Sequence, residues 1–382
     1  MSPRATKPKR RRASDTHALG DRLRALDVLL VCGSGGVGKT SIAATIALDE
    51  AMRGRRVCVL TIDPAKRLAQ AMGLDRLDDR ERKVKLPEGA AKGGSLHGLM
   101  LDAKTAFDRL VTEASSSDEE RQRILDNRVY QQVSSSTAGM QEYMALERLY
   151  ELDRGGKYDL IVVDTPPASH ARELLESPQR MLRFLEGRSL RWFLKPSAKV
   201  GRFGLKALGG SGGPVVAVLE KITGAQMLRD TTEFLESMEG IYGQVTDRIK
   251  VVERMFGSPS TGFLAVTSPE RESVSQAVAF WELLEERGYR FVGTVVNRVE
   301  PQAPGTAATV DELSALAGID EAFATRIAQA QADHAELATR DAARLQELGD
   351  ATGDALTIAV PRLPRIVNDL AGLRELAPFL AD

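Results

Sequence analysis

Cysteine is almost missing from this chain. Its 382 residues include two, Cys32 and Cys58, each within a strand-like apolar run, VLLVC and VCVLTI. Free buried thiols are the main reading, with a disulfide between them as the lesser alternative. No C-x-x-C pair exists to hold a metal. Long apolar runs are missing as well, since none approaches the roughly 20 residues of a membrane-spanning helix. Net charge is close to nil, at -1, so the global balance points to no nucleic-acid or acidic-surface partner. The N-terminal stretch lacks the apolar core of a signal peptide, and no repeat of 20 to 50 residues is found. These absences favour the cytoplasm.

What is present describes an ordinary globular protein, with 43% hydrophobic and 27% charged residues. The length suits one large α/β domain with an insertion, or two domains. One charge asymmetry stands out. Arg4, Lys7, Lys9, Arg10, Arg11 and Arg12 fall between Met1 and Ala13 with no acid among them. A solvated, disordered basic tail over 1–20 accounts for them, and no nucleic-acid partner is expected.

Strand-length apolar runs alternate with longer amphipathic stretches, the pattern of parallel βαβ units. The strand candidates are Val28 to Cys32, Val57 to Ile62, LMLDA near Leu99, LIVVD (Leu160 to Asp164), FLAVT (Phe263 to Thr267), FVGTVVN (Phe291 to Asn297) and LTIAV (Leu356 to Val360). Several are apolar at every position, as strands covered on both faces are. Residues from about 106–153 and 169–255 are mostly helical and read as an inserted subdomain, with a break at GGSGGP (Gly209 to Pro214). Val310 to Leu348 is a further helical stretch.

Between the first strand and a helix from Lys39 lies GSGGVGKTS, Gly33 to Ser41. Gly33, Gly35 and Gly38 fit the dinucleotide pattern G-x-G-x-x-G, while Gly33, Gly38, Lys39 and Thr40 fit G-x-x-x-x-G-K-[ST]. The second decides. Backbone N–H groups of such a loop form an anion nest at a helix N-terminus. Lys39 then brings a positive charge to the β- and γ-phosphates, and Thr40 a hydroxyl to Mg2+. A nicotinamide enzyme has no use for that pair. The expected ligands are therefore ATP and Mg2+, held by Gly33, Ser34, Gly35, Gly36, Val37, Gly38, Lys39, Thr40 and Ser41. Asp164, closing LIVVD, is the candidate second holder of the Mg2+ shell.

With GSGGVGKT, TIDPAKRL and YDLIVVDTPPASH in this order, the chain resembles the ArsA-type ATPases, which include the arsenite-pump and tail-anchored-protein-targeting ATPases. The resemblance runs from Val28 to the C-terminus. It implies the SIMIBI type of P-loop NTPase, a mostly parallel sheet flanked by helices with an inserted helical subdomain. It implies that Asp63 orients the attacking water and that Asp164 to His170 form the second switch loop. Asn297 would contact adenine, with Pro361 and Leu363 in the loop VPRLPRIV (Val360 to Val367) against the base. Gly139 to Ala145 would lie in the helix at the nucleotide dimer face. It also implies a homodimer, or a heterodimer with a related ATPase, acting on a hydrophobic client helix or membrane protein.

Two departures qualify this. The family's loop usually reads G-K-G-G-V-G-K-[ST], and its first lysine reaches the partner's phosphates. Here that position is Ser34, and Lys66 and Arg67 are candidate substitute cations. Metalloid sites of the family use thiolates, and no cysteine lies in the helical region, so neither an arsenite nor a zinc site is expected. From Gly187 to Leu219 basic residues alternate with Leu190, Trp192, Phe193 and other apolar side chains. That stretch is either a client-facing groove or ordinary subdomain packing.

Overall fold

A computed structural model of the chain describes residues 19–63, 67–136, 140–166, 175–180, 183, 234, 243–303, 307–316, 318–353 and 355–381. Its strands are β1 (Val28–Gly33), β2 (Arg56–Thr61), β3 (Arg82–Val84), β4 (Ser95–Met100), β5 (Leu160–Asp164), β6 (Thr261–Thr267), β7 (Phe291–Val299) and β8 (Thr357–Pro361). They form one eight-stranded sheet in the order β3-β4-β2-β5-β1-β6-β7-β8. Every pairing is parallel except β3 with β4. The α/β architecture and the seven strands read from apolar runs are all present, with ends shifted by two residues or fewer except at the third.

Strand alternation divides the core in two. Val28, Leu30, Cys32, Leu60, Ile161 and Val163 face one side, where they pack with buried residues of the helices Ala103–Ala114, Asp118–Asp126 and Met140–Arg154 and of helical residues 243–256. Leu29, Val31, Val57, Val59, Leu160 and Val162 face the other, against the helices Lys39–Met52 and Leu370–Ala381. The Lys39–Met52 helix is rich in alanine, with Ala43, Ala44, Ala47 and Ala51 all buried. Small side chains let it lie tightly between the sheet and the C-terminal helix. The described part of the 106–153 stretch is thus a helical layer sharing one core with the sheet.

Several elements lie outside the sequence reading, the helices Arg67–Ala71 and Arg271–Arg287 among them. β3 is short, polar and antiparallel. The helix Leu370–Ala381 carries Pro378 inside it. The helix Leu19–Arg24 begins within the span read as tail, because Leu19, Leu23 and Leu26 bury one apolar stripe against the sheet's second face. The stretch expected as helical from Val310 is two helices, Val310–Ser314 and Glu321–Ala351. Among the described residues, no helix is long and apolar enough to cross a membrane.

Strand order places the loop after β1 at the middle of the sheet, flanked by the C-terminal ends of β5 and β6. In parallel α/β sheets that edge is where ligands bind.

Candidate active site

The glycine loop leaves β1 under tight constraint. A Cβ on Gly33 would fall 1.9 Å from the Val266 carbonyl oxygen of β6, so only glycine lets the two strands approach this closely. Gly38 caps the next helix in the left-handed region, with φ 99° and ψ 20°. A Cβ there would fall 2.3 Å from Asn297 Nδ2. That amide donates to the Val37 carbonyl at 2.8 Å, so Asn297 at the end of β7 braces the loop from the side.

Register builds the polar centre. Thr61 of β2 and Val31 of β1 both pair with Asp164 of β5. Asp164 is 1% exposed, and its Oδ2 accepts from Thr40 Oγ1 at 2.8 Å and from Thr61 Oγ1 at 3.0 Å. Its Oδ1 is buried with no hydrogen-bond partner. Burial pushes the Asp164 pKa up to about 6, against the opposing hydrogen bonds of Thr40 and Thr61 and the charge of Lys39. Lys39 is itself buried, and its Nζ donates to the Ser34 carbonyl at 2.8 Å. Desolvation lowers its pKa, opposed by the Asp164 carboxylate.

A cavity of about 400 Å3 opens over this centre, lined by Gly35, Gly36, Gly38, Lys39, Thr40, Ser41, Asp63 and Arg67 with Thr165 and residues 366–368. A second, of about 340 Å3, adjoins it and is lined by Gly38, Ser41, Asn297, Arg298 and residues 361–367, Pro361 and Leu363 among them. The two share Gly38, Ser41, Arg298, Ile366 and Val367. Together they form one two-lobed depression, with Lys39, Asp63 and Arg67 at the glycine-loop end and Pro361, Leu363 and Pro364 interleaved with Arg298, Arg362 and Arg365 at the other. Ile366, 85% exposed, overhangs both lobes.

Of the residues expected here, Gly35, Gly36, Gly38, Lys39, Thr40, Ser41, Asp63, Asn297, Pro361 and Leu363 converge on this depression. Asp164 lies beneath it. Gly33, Ser34 and Val37 line neither lobe. Gly33 belongs to β1, Val37 is buried, and the Ser34 hydroxyl donates to Gln276 Oε1 at 2.6 Å on the helix Arg271–Arg287. Arg67 joins Lys39 and Asp63 in the glycine-loop lobe. Lys66, His170, Gly139 and the whole Gly187 to Leu219 stretch lie outside the described residues.

Sequence reasoning missed Thr61, Gln276 and Arg298. Thr61 was findable, since a lone polar residue ending an apolar strand beside one that ends in aspartate marks a shared site. Arg298 adjoins Asn297, but strand alternation argued against its facing the same way.

A model of the anion-transporting ATPase family matches residues 26–337. The chain is 22% identical over 368 residues to a protein named ATPase ASNA1 homolog from Plasmodium chabaudi chabaudi, covering 93% of this chain and 86% of that one. It is 24% identical over 275 residues to an Aquifex aeolicus protein whose name assigns it as an arsenical pump-driving ATPase, with 71% and 80% covered. It is also 24% identical over 223 residues to ATPase get3 of Aspergillus terreus, with 58% and 60% covered.

Proposed function

The chain belongs to the anion-transporting ATPase family, and from that premise we propose a Mg2+-dependent ATPase whose nucleotide cycle rearranges a dimer around a hydrophobic client helix or membrane partner. ATP hydrolase activity comes with the family. The carrying observation for the metal is the pair of half-buried Thr40 and buried Asp164, 2.8 Å apart beside the glycine loop, with Asp164 Oδ1 unpartnered. Mg2+ binds through one or two protein oxygens plus substrate phosphates and water, and this donor set fits it. Bound there, the ion would neutralise charge on the β- and γ-phosphates.

The protein's own residues take the remaining roles in this reading. Backbone N–H groups from Gly35 to Thr40 cradle phosphate oxygens at the helix N-terminus. Lys39 gives up its bond to the Ser34 carbonyl and turns its ammonium onto the phosphates. Its burial strengthens that interaction. Asp63, on the wall of the glycine-loop lobe, accepts a hydrogen bond from the attacking water and fixes its line of approach. Pro361 and Leu363 supply an apolar wall for the base, and Asn297 joins that lobe to the loop.

The dimer forms with a second copy or with a related ATPase. A second reading, the energising subunit of a membrane anion transporter, draws support from the family's description and from the Aquifex relative's name. For an arsenical the usual soft ligands are thiolates. Cys32 and Cys58 are 1% and 0% exposed, and burial pushes both thiols up to about 12.

The test is ATP hydrolysis by the purified protein, alone and with candidate partner chains, beside Asp63→Asn. Expected is Mg2+-dependent turnover that falls by about 10²-fold or more in Asp63→Asn while ATP binding persists. Tight ATP binding with no wild-type turnover would replace the enzyme reading with that of a nucleotide-dependent binding switch.

A further inference from the structure

Arg298 is the one non-glycine residue with positive φ among the described residues, at 64°. A side chain in the left-handed region carries a steric penalty, and such residues persist where surrounding structure or function demands them. The surroundings show how the conformation is held. The β7–β8 register slips between Asn297 and Val299, leaving Arg298 as the bulged residue, and its N–H donates to the Asn297 side-chain oxygen at 3.0 Å. A bulge of this kind re-aims a side chain.

Consecutive residues of a regular strand point to opposite faces. Here Asn297 and Arg298 both line the depression. Arg298 reaches further than its neighbour, bordering the lobe at the glycine loop as well as the one walled by residues 361–367. The other residues common to both lobes include Gly38 and Ser41, at the start of the Lys39–Met52 helix. That junction is where a nucleotide's first phosphate would pass from the base end to the loop. The guanidinium has no ion-pair or hydrogen-bond partner among the described residues, unlike Arg362 and Arg365 on the same wall, which are paired with Glu300 and Glu375.

We propose that Arg298 is a nucleotide-binding residue that contacts the phosphate nearest the ribose, its strained backbone being the means by which a strand-end arginine is turned into the site. The proposal rests on the nucleotide reading of the depression. The contact is present with ADP and ATP alike, so it contributes to binding in both states rather than to the chemical step. It differs from Arg67, which sits with Asp63 at the far end.

Calorimetric titration of the full-length chain with ADP and with adenosine tests it, using wild type, Arg298→Gly, Arg298→Lys and Lys39→Ala. Glycine removes the cation and relieves the strain, so Arg298→Gly should melt at or a few degrees above the wild type. Its ADP Kd should rise about tenfold, in line with loss of one charge-assisted contact. Adenosine affinity should stay within about twofold, and Arg298→Lys should keep part of the ADP affinity. Unchanged ADP binding in Arg298→Gly, or an equal loss for adenosine, would overturn the assignment. Lys39→Ala separates the two levels. If it alone abolishes ADP binding, the site stands and Arg298 is not part of it. If ADP binds every variant as it binds wild type, the nucleotide reading of the depression falls and the proposal with it.

Discussion

The Thr40 hydroxyl donates to Asp164 Oδ2 at 2.8 Å across 124 residues of sequence, joining the first turn of one helix to the last residue of a central strand. Thr61 donates to the same oxygen, so one carboxylate oxygen is doubly satisfied and the other not at all. The arrangement is costly without a cation. A fold optimised for stability alone would place an apolar residue there.

Asp164→Asn should therefore stabilise the nucleotide-free protein. The folded pKa of Asp164 is raised from 3.8 to about 6, so its neutral form favours the fold. The associated stability is full below about pH 4 and is lost as pH rises through about 6. At about 1.4 kcal/mol per unit, the loss at pH 7.5 is on the order of 3 kcal/mol. Asparagine keeps an oxygen for the two threonines but buries an unpaired N–H, which leaves a net gain of about 1–2 kcal/mol. Denaturant unfolding without nucleotide should show that gain at pH 7.5 and the reverse near pH 4, where the carboxyl is already neutral in the fold and the unpaired N–H leaves the variant about 1 kcal/mol less stable than wild type. The same variant should gain far less from added MgATP. Equal stabilities at pH 7.5 would refute the argument.

Gly38→Ala should damage both fold and site. The new Cβ falls on Asn297 Nδ2, and φ is 99°, so Asn297 must withdraw and surrender its bond to the Val37 carbonyl. A cost of about 2 kcal/mol or more is expected from the strain and the broken contact. ADP affinity should fall at least tenfold on the order of 1.4 kcal/mol. Adding Asn297→Ala removes the collision but not the strain, so the double variant should be more stable than additivity predicts. Strict additivity would show that Asn297 and Gly38 are not coupled.

Much of this was legible in the sequence, and for identifiable reasons. LIVVD reads to the residue as β5 because a fully covered central strand has no polar position to blur its ends. The loop is legible because phosphate binding fixes residue types at consecutive positions. β3 escaped because RKV has neither length nor apolar period. Thr61 escaped because its role depends on register with Asp164, and Gln276 because it meets Ser34 from 242 residues away. Arg298 escaped because a bulge reverses the face that alternation assigns it. Local chemistry is written locally, whereas partners joined by the fold are not.

Ser34→Lys tests whether the missing loop cation limits turnover. Ser34 is exposed toward Gln276, so the exchange should alter stability by no more than about 0.5 kcal/mol. A cation delivered across a dimer can accelerate phosphoryl transfer by orders of magnitude. ATPase activity should rise at least about tenfold, and on the proposed dimer specific activity should increase with protein concentration. A rate that is unmoved at every concentration would exclude a cross-dimer role for this position.

Arg248→Ala probes the helical layer rather than the site. Glu147 is 0% exposed, and its carboxylate is held by Arg248 and by the Tyr143 hydroxyl, while Arg248 also reaches Glu113. Burial raises the Glu147 pKa even against the Arg248 charge that opposes it. Alanine would leave that carboxylate buried with its cation gone, at a cost of about 3–5 kcal/mol near neutral pH. The raised pKa sets the sign of the pH dependence: protonated Glu147 favours the fold, so the penalty should shrink as pH falls toward 5. Pairing Arg248→Met with Glu147→Leu removes both charges and should recover most of the loss. Urea unfolding at pH 5 and 7.5 measures each step. A single-variant loss below about 1 kcal/mol at pH 7.5 would mean that water reaches Glu147 and that the two segments are not held together by this pair.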